Sequence, residues 1–300
     1  MKLKELAKGV LRESGTRTIS GVRRKVREAR LRLRSPLNET EFSNILMNAL
    51  GLGKGDTVFV HSSIDQLNLG FPFYRVLPLM EDLVGAEGTL LFPTYPRLSS
   101  YEFLIRGEVF NIKKSPSYTG ILSEVARRQA NAVRSLHPTK SVCAIGAAAE
   151  ELTRDHQESP YPYDRCSPYY RITEFDGKIV GLGVSTRNLS FVHCVDDALK
   201  DDFPVRPYHE QLFAATCING AGSKVIVETY AHDLRKMVHN IPRFMKTYVS
   251  SDACIDLNLN GMRFFRANAR RLFDEMSSLA ATGKTIYPPS VYSNKPRGAT

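Results

Sequence analysis

The sequence predicts an α/β fold in which helices cover both faces of one sheet, as a three-layer α/β/α sandwich. Short β-branched, apolar runs recur along the chain, and segments with the apolar spacing of amphipathic helices lie between them. A chain of 300 residues with 42% hydrophobic residues suits one large α/β domain with appendages. We expect this domain to cover residues 36–287.

The individual elements follow from local signals in chain order. The first helix has Asn38 or Thr40 as its cap and ends at Gly51, and its inward-facing residues are Phe42, Ile45, Leu46, Ala49 and Leu50. Strands are predicted near residues 57–62, 89–95, 141–146, 178–184 and 225–227, with a helix near residues 120–130. Residues 262–279 predict a long helix that packs through Phe265, Leu272, Phe273, Met276 and Leu279.

Positive charge is concentrated at the N-terminus. Residues 1–35 contain 12 Lys and Arg against 3 Glu, which is +9 of the chain's net charge of +10. Residues 21–34 predict a basic amphipathic helix with a narrow apolar stripe of Val22, Val26, Ala29 and Leu33. Such a helix can contact an anionic membrane surface or an acidic partner; the alternative is a solvated extension that packs on the body or on a second subunit. Nucleic-acid binding is not expected, because the segment has no aromatic residue for base stacking.

The remaining composition favours a cytoplasmic protein. Five cysteines, at positions 143, 166, 194, 217 and 254, form no Cys-x-x-Cys pair, which argues against a disulfide framework or a zinc site. No apolar run approaches the roughly 18 residues of a membrane span, and residues 1–5 do not begin a signal peptide. We expect residues 288–300 to form a loose C-terminal tail, and no pattern indicates an oligomeric state.

Two polar segments flank predicted strands. His61-Ser62-Ser63 ends the strand at residues 57–62, where ligands bind in open α/β sheets, and a Ser-rich turn is an equal alternative. His137 precedes the strand at residues 141–146. A histidine there can act as a base near neutral pH or serve as a hydrogen-bonded structural residue.

A third polar segment follows the strand at residues 178–184. Ser190 is expected to cap a helix that carries His193, Asp196 and Asp197. Spacings of three and four residues place both aspartates on the His193 face of that helix. The alternative is an acidic first turn that is solvated and favoured by the helix dipole.

The order of these segments resembles the aminoglycoside 3-N-acetyltransferase family over roughly residues 40–285. Each motif is weak alone, but six in the family's order make a specific match: His61-Ser62-Ser63, the run from Glu87 to Thr94, Ser117-Tyr118-Thr119-Gly120, the run from Arg134 to Thr139, Ser167-Pro168, and Gly181-Leu182-Gly183-Val184 with Ser190-x-x-His193-x-x-Asp196. The chain departs from the family at three positions. Lys140 stands where many members have His, and Ser190 and Asp196 stand where they have Thr and Glu.

The resemblance implies a mixed, partly antiparallel sheet and an enzyme that transfers the acetyl group of acetyl-CoA to an amine without a metal. We expect His137 to be the general base and Asp196 to orient its imidazole. Asp197 is the alternative residue for this orienting role. Ser190 or backbone N–H groups would donate to the developing oxyanion. We also expect His193, on the same helix as Asp196, to be a catalytic residue.

Acetyl-CoA is expected at His61-Ser62-Ser63 and at the helix start formed by Ser117-Tyr118-Thr119-Gly120, with Arg134 and Lys140 neutralising phosphate charge. Two features concern the acceptor. The acidic run at residues 196–202, which includes Asp197, suits a polycationic aminoglycoside, whereas Lys140 suits an anionic amino sugar of the kind used in surface-polysaccharide synthesis. We expect an amino-sugar acceptor in general, with antibiotic modification as the narrower alternative.

Two alternatives remain open at the level of sequence. A ping-pong reaction could pass through Cys194 or Cys143, although neighbouring helical residues point about 100° apart, which leaves His193 poorly placed to activate Cys194. The other alternative is a non-catalytic protein of the same fold that binds CoA or serves as an interaction module. Release of free thiol from acetyl-CoA separates an enzyme from such a protein.

Overall fold

The computed structural model describes residues 34–288. The predicted basic helix, in residues 1–33, and the predicted tail, in residues 289–300, lie outside the described residues. The ten strands of the described part are β1 (Thr57–Ser62), β2 (Thr89–Pro93), β3 (Phe110–Asn111), β4 (Val133–Arg134), β5 (Val142–Gly146), β6 (Lys178–Leu182), β7 (Tyr208–Ile218), β8 (Lys224–His232), β9 (Cys254–Leu259) and β10 (Met262–Asn268).

Nine α-helices alternate with these strands in the same part of the chain. They are α1 (Glu39–Asn44), α2 (Val76–Val84), α3 (Ser100–Ile105), α4 (Ile121–Arg127), α5 (Ala149–Thr153), α6 (Pro168–Arg171), α7 (His193–Leu199), α8 (Ile241–Tyr248) and α9 (Ala269–Ala281). A π-helical turn, Ile45–Ala49, extends α1. Short 3₁₀ turns include Thr186–Asn188 and Ser190–Val192 before α7 and Lys200–Asp202 after it.

Seven strands form one mixed sheet in the order β4-β5-β2-β1-β6-β10-β9. The central strand β1 lies parallel to β2 and β6, with Phe59 opposite Leu91 and Ile179. The outer strands pair antiparallel: β5 with β2 and β4, and β10 with β6 and β9. The mixed, partly antiparallel sheet is therefore confirmed. Because the three central strands are parallel, their carboxyl ends meet at one edge, where open α/β sheets bind ligands.

Two hydrophobic cores lie on opposite faces of this sheet. Alternate residues of β1 point to opposite faces, so Phe59 enters the core beneath α5–α9 while Val58 and Val60 enter the core beneath α1, α2 and α4. Each fully buried aromatic or aliphatic side chain of this kind stabilises the fold by roughly 1.5–3 kcal/mol. The two helical layers around one sheet confirm the three-layer sandwich.

The long helix predicted at residues 262–279 is wrong in its first part. Residues Met262–Asn268 form β10, and the helix begins only at Ala269, where the Asn268 side chain accepts a hydrogen bond from the Arg271 N–H. Phe264 and Phe265 are both fully buried, one in each core. Neighbouring residues reach two opposite cores only from a strand, because a helix turns them about 100° apart.

A smaller three-stranded sheet, in the order β3-β7-β8, packs beside the main sheet. Strand β8 contains the predicted run at residues 225–227 and ends at His232. The chain then passes through residues 233–240 into α8, which brings this segment to the edge where β1, β2 and β6 end. No helix within residues 34–288 is both long enough and apolar enough to span a membrane.

Candidate active site

Two neighbouring cavities open at the carboxyl ends of the parallel strands. The first has a volume of about 290 Å³, and its wall includes Tyr95, Lys140, Ser190 and His193. The second has a volume of about 770 Å³ and is lined by residues that follow β1 and β6 and by the start of α4. Arg187 and Asn188, from the 3₁₀ turn after β6, line both cavities. Two ligands bound side by side would therefore meet at this turn.

A histidine–aspartate pair forms one wall of the first cavity. His193 Nδ1 lies 3.0 Å from Asp196 Oδ2, within the first turn of α7. The Tyr287 hydroxyl donates to the same carboxylate oxygen over 2.6 Å. An ionised carboxylate only accepts hydrogen bonds, so Nδ1 carries the proton in a neutral ring and Nε2 keeps its lone pair. The pair thus has the orientation of an imidazole held for proton transfer at Nε2.

Two more histidines, His232 and His239, complete this wall. Their rings lie 5.3 and 5.8 Å from the His193 ring, measured between centroids. Burial holds the pKa of His232 well below its ordinary range, with nearby Lys140 acting in the same direction, and burial also lowers the pKa of His239. Both rings are therefore neutral near pH 7, and His232 Nε2 is buried without a hydrogen-bond partner among the described residues.

His137 lies behind the first cavity and lines neither cavity. It is fully buried, its Nδ1 accepts the backbone N–H groups of Thr139 (3.3 Å) and Lys140 (3.0 Å), and its Nε2 lies 3.2 Å from Thr229 Oγ1. Burial keeps its pKa well below the ordinary value. The predicted pairing of His137 with Asp196 is wrong, because Asp196 contacts His193 instead.

The turn held by His137 carries Lys140 to the cavity wall. Lys140 Nζ lies 4.6 Å from the centroid of the Tyr95 ring, and burial lowers the pKa of this lysine to about 8. Arg134, predicted to help neutralise phosphate, is instead buried beside β2. Its guanidinium donates to Thr94 O (2.8 Å) and Ser115 O (2.6 Å), and it lines neither cavity.

Ser190 stands at the first cavity but does not cap α7. It opens the 3₁₀ turn Ser190–Val192, and Val192 is the N-cap residue of α7, without a side-chain hydrogen bond. Ser190 and Tyr95 both line this cavity, and the Tyr95 hydroxyl contacts the hydroxyls of Tyr163 and Tyr169.

Asp197 faces away from both cavities, contrary to its predicted contact with substrate. Its carboxylate accepts the Tyr208 hydroxyl over 2.7 Å and the Tyr163 N–H over 2.8 Å. Burial raises the pKa of Asp197 well above its ordinary value. The later acidic residues, Asp201 and Asp202, are exposed and also lie outside both linings.

The second cavity gathers five of the seven residues in the two segments predicted to bind acetyl-CoA. Ser62, Ser63, Tyr118, Thr119 and Gly120 line it, together with Arg187 and Arg263. Gly120 has a φ of +120°, and a Cβ there would lie 3.1 Å from the Ser62 carbonyl oxygen, so glycine allows the start of α4 to approach the end of β1.

His61 and Ser117, the other two predicted CoA ligands, do not line this cavity. His61 points to the opposite face of β1, where its ring stacks on Phe59 at 5.2 Å and burial lowers its pKa to about 3. The Ser117 N–H donates to Glu124 over 2.8 Å, which fixes the loop to α4. The strand alternation that sends Ser62 to the cavity sends His61 to the core.

The sequence did not predict roles for Arg187, His232 and His239, which line the first cavity, or for Tyr287, which donates to Asp196 but lines neither cavity. The last three come from segments 39 or more residues beyond His193, and no spacing connects them to it. His232 ends β8, a strand of which only residues 225–227 were predicted, so a correct strand end would have been the signal that selected it. Within residues 34–288, no group of three or more His, Cys, Asp or Glu is placed to hold a metal ion.

The two cysteines considered for covalent catalysis are buried in the core. Cys143 lies in β5 and Cys194 in α7, and neither lines a cavity. Burial raises the pKa of Cys143 to about 12 and that of Cys194 well above its ordinary value. Both thiols therefore stay protonated, which opposes the ping-pong alternative.

Residues 59–280 match the protein family described as aminoglycoside 3-N-acetyltransferase. Relatives include aminoglycoside N(3)-acetyltransferase VII of Streptomyces paromomycinus, 33% identical over 175 residues, which are 53% of this chain and 59% of that protein. Another is aminoglycoside N(3)-acetyltransferase VIII of Streptomyces fradiae, 32% identical over 164 residues, covering 49% and 56%. The chain thus spans less than two thirds of the length of these curated relatives.

Solved structures of similar fold cover more of the chain at lower identity. Aminoglycoside acetyltransferase AAC(3)-Xa superposes with a TM-score of 0.68 at 20% identity, over 87% of this chain and 98% of its own. AAC-IIIb, solved as a binary complex with CoASH, gives a TM-score of 0.66 at 20% identity, over 85% and 100%. At this identity the likeness concerns the fold.

Proposed function

This chain belongs to the aminoglycoside 3-N-acetyltransferase family, and on that premise we propose that it transfers the acetyl group of acetyl-CoA to an amino group of an amino sugar or aminoglycoside. The observation that carries the proposal is the His193–Asp196 pair on the wall of one cavity, beside a second cavity that meets it at Arg187 and Asn188. Acyl transfer needs such a base next to the place where two substrates join.

Acetyl-CoA occupies the second cavity in this proposal. Ser62, Ser63, Thr119 and Gly120 offer hydroxyl and backbone N–H groups to the pantetheine and phosphates, and the guanidinium groups of Arg187 and Arg263 add positive charge. The thioester then lies at the junction of the cavities. CoASH is bound in the solved AAC-IIIb complex, which has the same fold.

The acceptor amine occupies the first cavity and attacks as the neutral amine. Its nitrogen adds to the thioester carbonyl carbon while His193 Nε2 takes the N–H proton, and Asp196 stabilises the resulting imidazolium. The Ser190 hydroxyl donates to the oxyanion of the tetrahedral intermediate. Collapse of this intermediate breaks the C–S bond, and the proton on His193 passes to the departing CoA thiolate.

His193 replaces His137 as the base in this proposal because of where the two rings stand. His193 belongs to the cavity wall, with Nδ1 held by a carboxylate. His137 uses its Nδ1 to accept two backbone N–H groups and is separated from the acceptor cavity by the turn that it supports. We assign His137 the role of positioning Lys140.

The test is release of free thiol from acetyl-CoA, measured against a panel of aminoglycosides and phosphorylated amino sugars. His193→Ala is expected to lower kcat by at least roughly 10², the low end for a lost general base, and Asp196→Asn to lower it in the same direction. His209→Ala is the matched control, since this half-exposed ring stacks on Tyr101 and lines neither cavity.

Two results would count against the assignment. Full turnover by His193→Ala would remove His193 from the mechanism. A folded His137→Asn variant that binds both acetyl-CoA and the acceptor as the wild type does, but has lost turnover, would return the base role to His137. Stabilisation of the wild type by CoA, without thiol release from any amine, would instead identify a non-catalytic CoA-binding protein.

A further inference from the structure

The acceptor cavity carries positive charge and no negative charge on its lining. Lys140 and Arg187 contribute a side-chain ammonium and a guanidinium, and His193, His232 and His239 contribute imidazoles. Among the described residues that line this cavity there is no Asp or Glu. A cavity of one sign attracts ligands of the opposite sign and repels those of its own.

Asp196 and Asp197 lie nearby but add no negative charge to the lining of this cavity. Asp196 is buried behind His193, where His193 and Tyr287 bind its Oδ2. Asp197 is fully buried and accepts hydrogen bonds from Tyr208 and Tyr163. Neither carboxylate lines the cavity, and the other oxygen of Asp196, Oδ1, is buried without a hydrogen-bond partner among the described residues.

Both cations are held in place by the fold. The loop that carries Lys140 is fixed by the His137 ring, and the ammonium stands over the Tyr95 ring. The turn that carries Arg187 is fixed by Thr186, whose N–H and hydroxyl donate to Asp256 over 2.9 and 2.6 Å. Burial lowers the pKa of Lys140 to about 8, so this side chain remains mostly protonated at pH 7.

The cavity also offers a free polar group and a small volume. His232 Nε2 is buried on the wall without a partner among residues 34–288, so a ligand hydroxyl can bind it. The volume of about 290 Å³ is slightly below the roughly 300–1,000 Å³ found for small-molecule sites. This size favours an acceptor with one sugar ring.

We propose that the acceptor is an anionic amino sugar, whose phosphate or carboxylate pairs with Lys140 while its amine faces His193. The proposal rests on the acetyl-transfer function and narrows its substrate class away from polycationic aminoglycosides. Arg187 also lines the cavity assigned to acetyl-CoA, whereas Lys140 lines only the acceptor cavity. Lys140 is therefore the residue that distinguishes acceptor binding from CoA binding.

The experiment compares glucosamine, glucosamine 6-phosphate and kanamycin by calorimetry, with the CoA-saturated protein at pH 7 and low ionic strength. Glucosamine and its 6-phosphate share the ring and the amine, so their difference isolates the anion. We expect the phosphate ester to bind at least about 10-fold more tightly than either other ligand, the factor that one charge-assisted hydrogen bond supplies. Equal or tighter binding of kanamycin, or equal binding of the two glucosamines, overturns the proposal.

Variants then assign the effect to Lys140. Lys140→Gln should weaken binding of glucosamine 6-phosphate at least about 10-fold, with unchanged affinity for acetyl-CoA, and Lys140→Arg should retain most of it. Lys224→Gln is the matched control, because Lys224 is exposed on β8 and lines neither cavity. Unchanged binding of the phosphate ester by Lys140→Gln overturns the assignment.

Thiol release in the same samples separates this proposal from the function on which it rests. Turnover of kanamycin with no preference for the phosphate ester leaves acetyl transfer standing and overturns the anionic acceptor. Lys140-dependent binding of the phosphate ester, without thiol release from any amine, supports the anionic site and contradicts acetyl transfer.

Discussion

Acidification should destabilise this fold well above the pH at which carboxylates are protonated. Four histidines, at positions 61, 137, 156 and 232, are almost fully buried. Burial lowers the pKa of His61 to about 3 and that of His156 to about 4, and holds those of His137 and His232 well below the ordinary value. Unfolded histidines take up protons near pH 6.5, so acid favours the unfolded chain.

The buried carboxyl group of Asp197 opposes this effect of acid on the stability of the fold. Burial raises the pKa of Asp197, so the folded protein holds a proton there that the unfolded chain releases. Four histidine protons gained on unfolding and one Asp197 proton lost leave a net uptake of three protons, and His239, whose pKa burial also lowers, adds in the same direction as the other histidines. At about 1.4 kcal/mol per proton and pH unit, the free energy of unfolding should fall by about 4 kcal/mol per pH unit near pH 5. That slope is large against a total stability of about 5–15 kcal/mol.

The assay is urea unfolding followed by circular dichroism between pH 7 and pH 5. His61→Asn removes one titrating ring and should reduce the slope by about 1.4 kcal/mol per pH unit. Asn48→Ser, which changes an exposed side chain without a titrating group, is the control and should leave the slope unchanged. A free energy of unfolding that stays constant from pH 7 to pH 5, or an unchanged slope in His61→Asn, would refute the reasoning.

Three further predictions concern single side chains. Gly183→Ala should lower the melting temperature and weaken acetyl-CoA binding, because Gly183 has a φ of +74° and a Cβ would lie 2.3 Å from the Ser63 carbonyl oxygen; unchanged thermal unfolding would contradict this. Tyr287→Phe removes the hydroxyl that donates to Asp196 and should lower kcat about 10-fold or more with little change in KM, as measured by thiol release. Iodoacetamide should leave Cys194 unmodified in the native protein, because its thiol is buried with a raised pKa, and peptide mass spectrometry would reveal labelling if this reasoning were wrong.

Much of the fold follows from local sequence signals. Asn38 and Glu41 form a reciprocal capping box at the start of α1, as the predicted cap requires, and the apolar run at residues 57–62 forms β1. The local sequence does not decide the structure of residues 262–268, because Arg263-Phe264-Phe265-Arg266 fits either a helix or a strand. Only the presence of a buried core on each side of the sheet decides between them.

One part of the candidate site also follows from local sequence, and another part depends on distant segments. The spacing Ser190-x-x-His193-x-x-Asp196 predicts that Asp196 shares a face with His193, and the 3.0 Å contact confirms it. That His193 and not His137 lines the first cavity could not be foreseen, since both residues stand close to a strand in the sequence. Which ring faces a cavity depends on the small sheet and on residues 233–240, which are distant in sequence.

The arrangement separates the proposed proton-transfer pair from the two cations proposed to select the acceptor. The proposed base and its carboxylate are three residues apart on α7, so their geometry depends on one helix turn and on Tyr287. Lys140 and Arg187 come from two other loops, each fixed by its own hydrogen bonds to His137 or Asp256. Under the proposals above, a change of charge at these loops alters which amine binds while the proton-transfer pair stays intact. Substitution of Lys140 therefore tests acceptor selection separately from proton transfer.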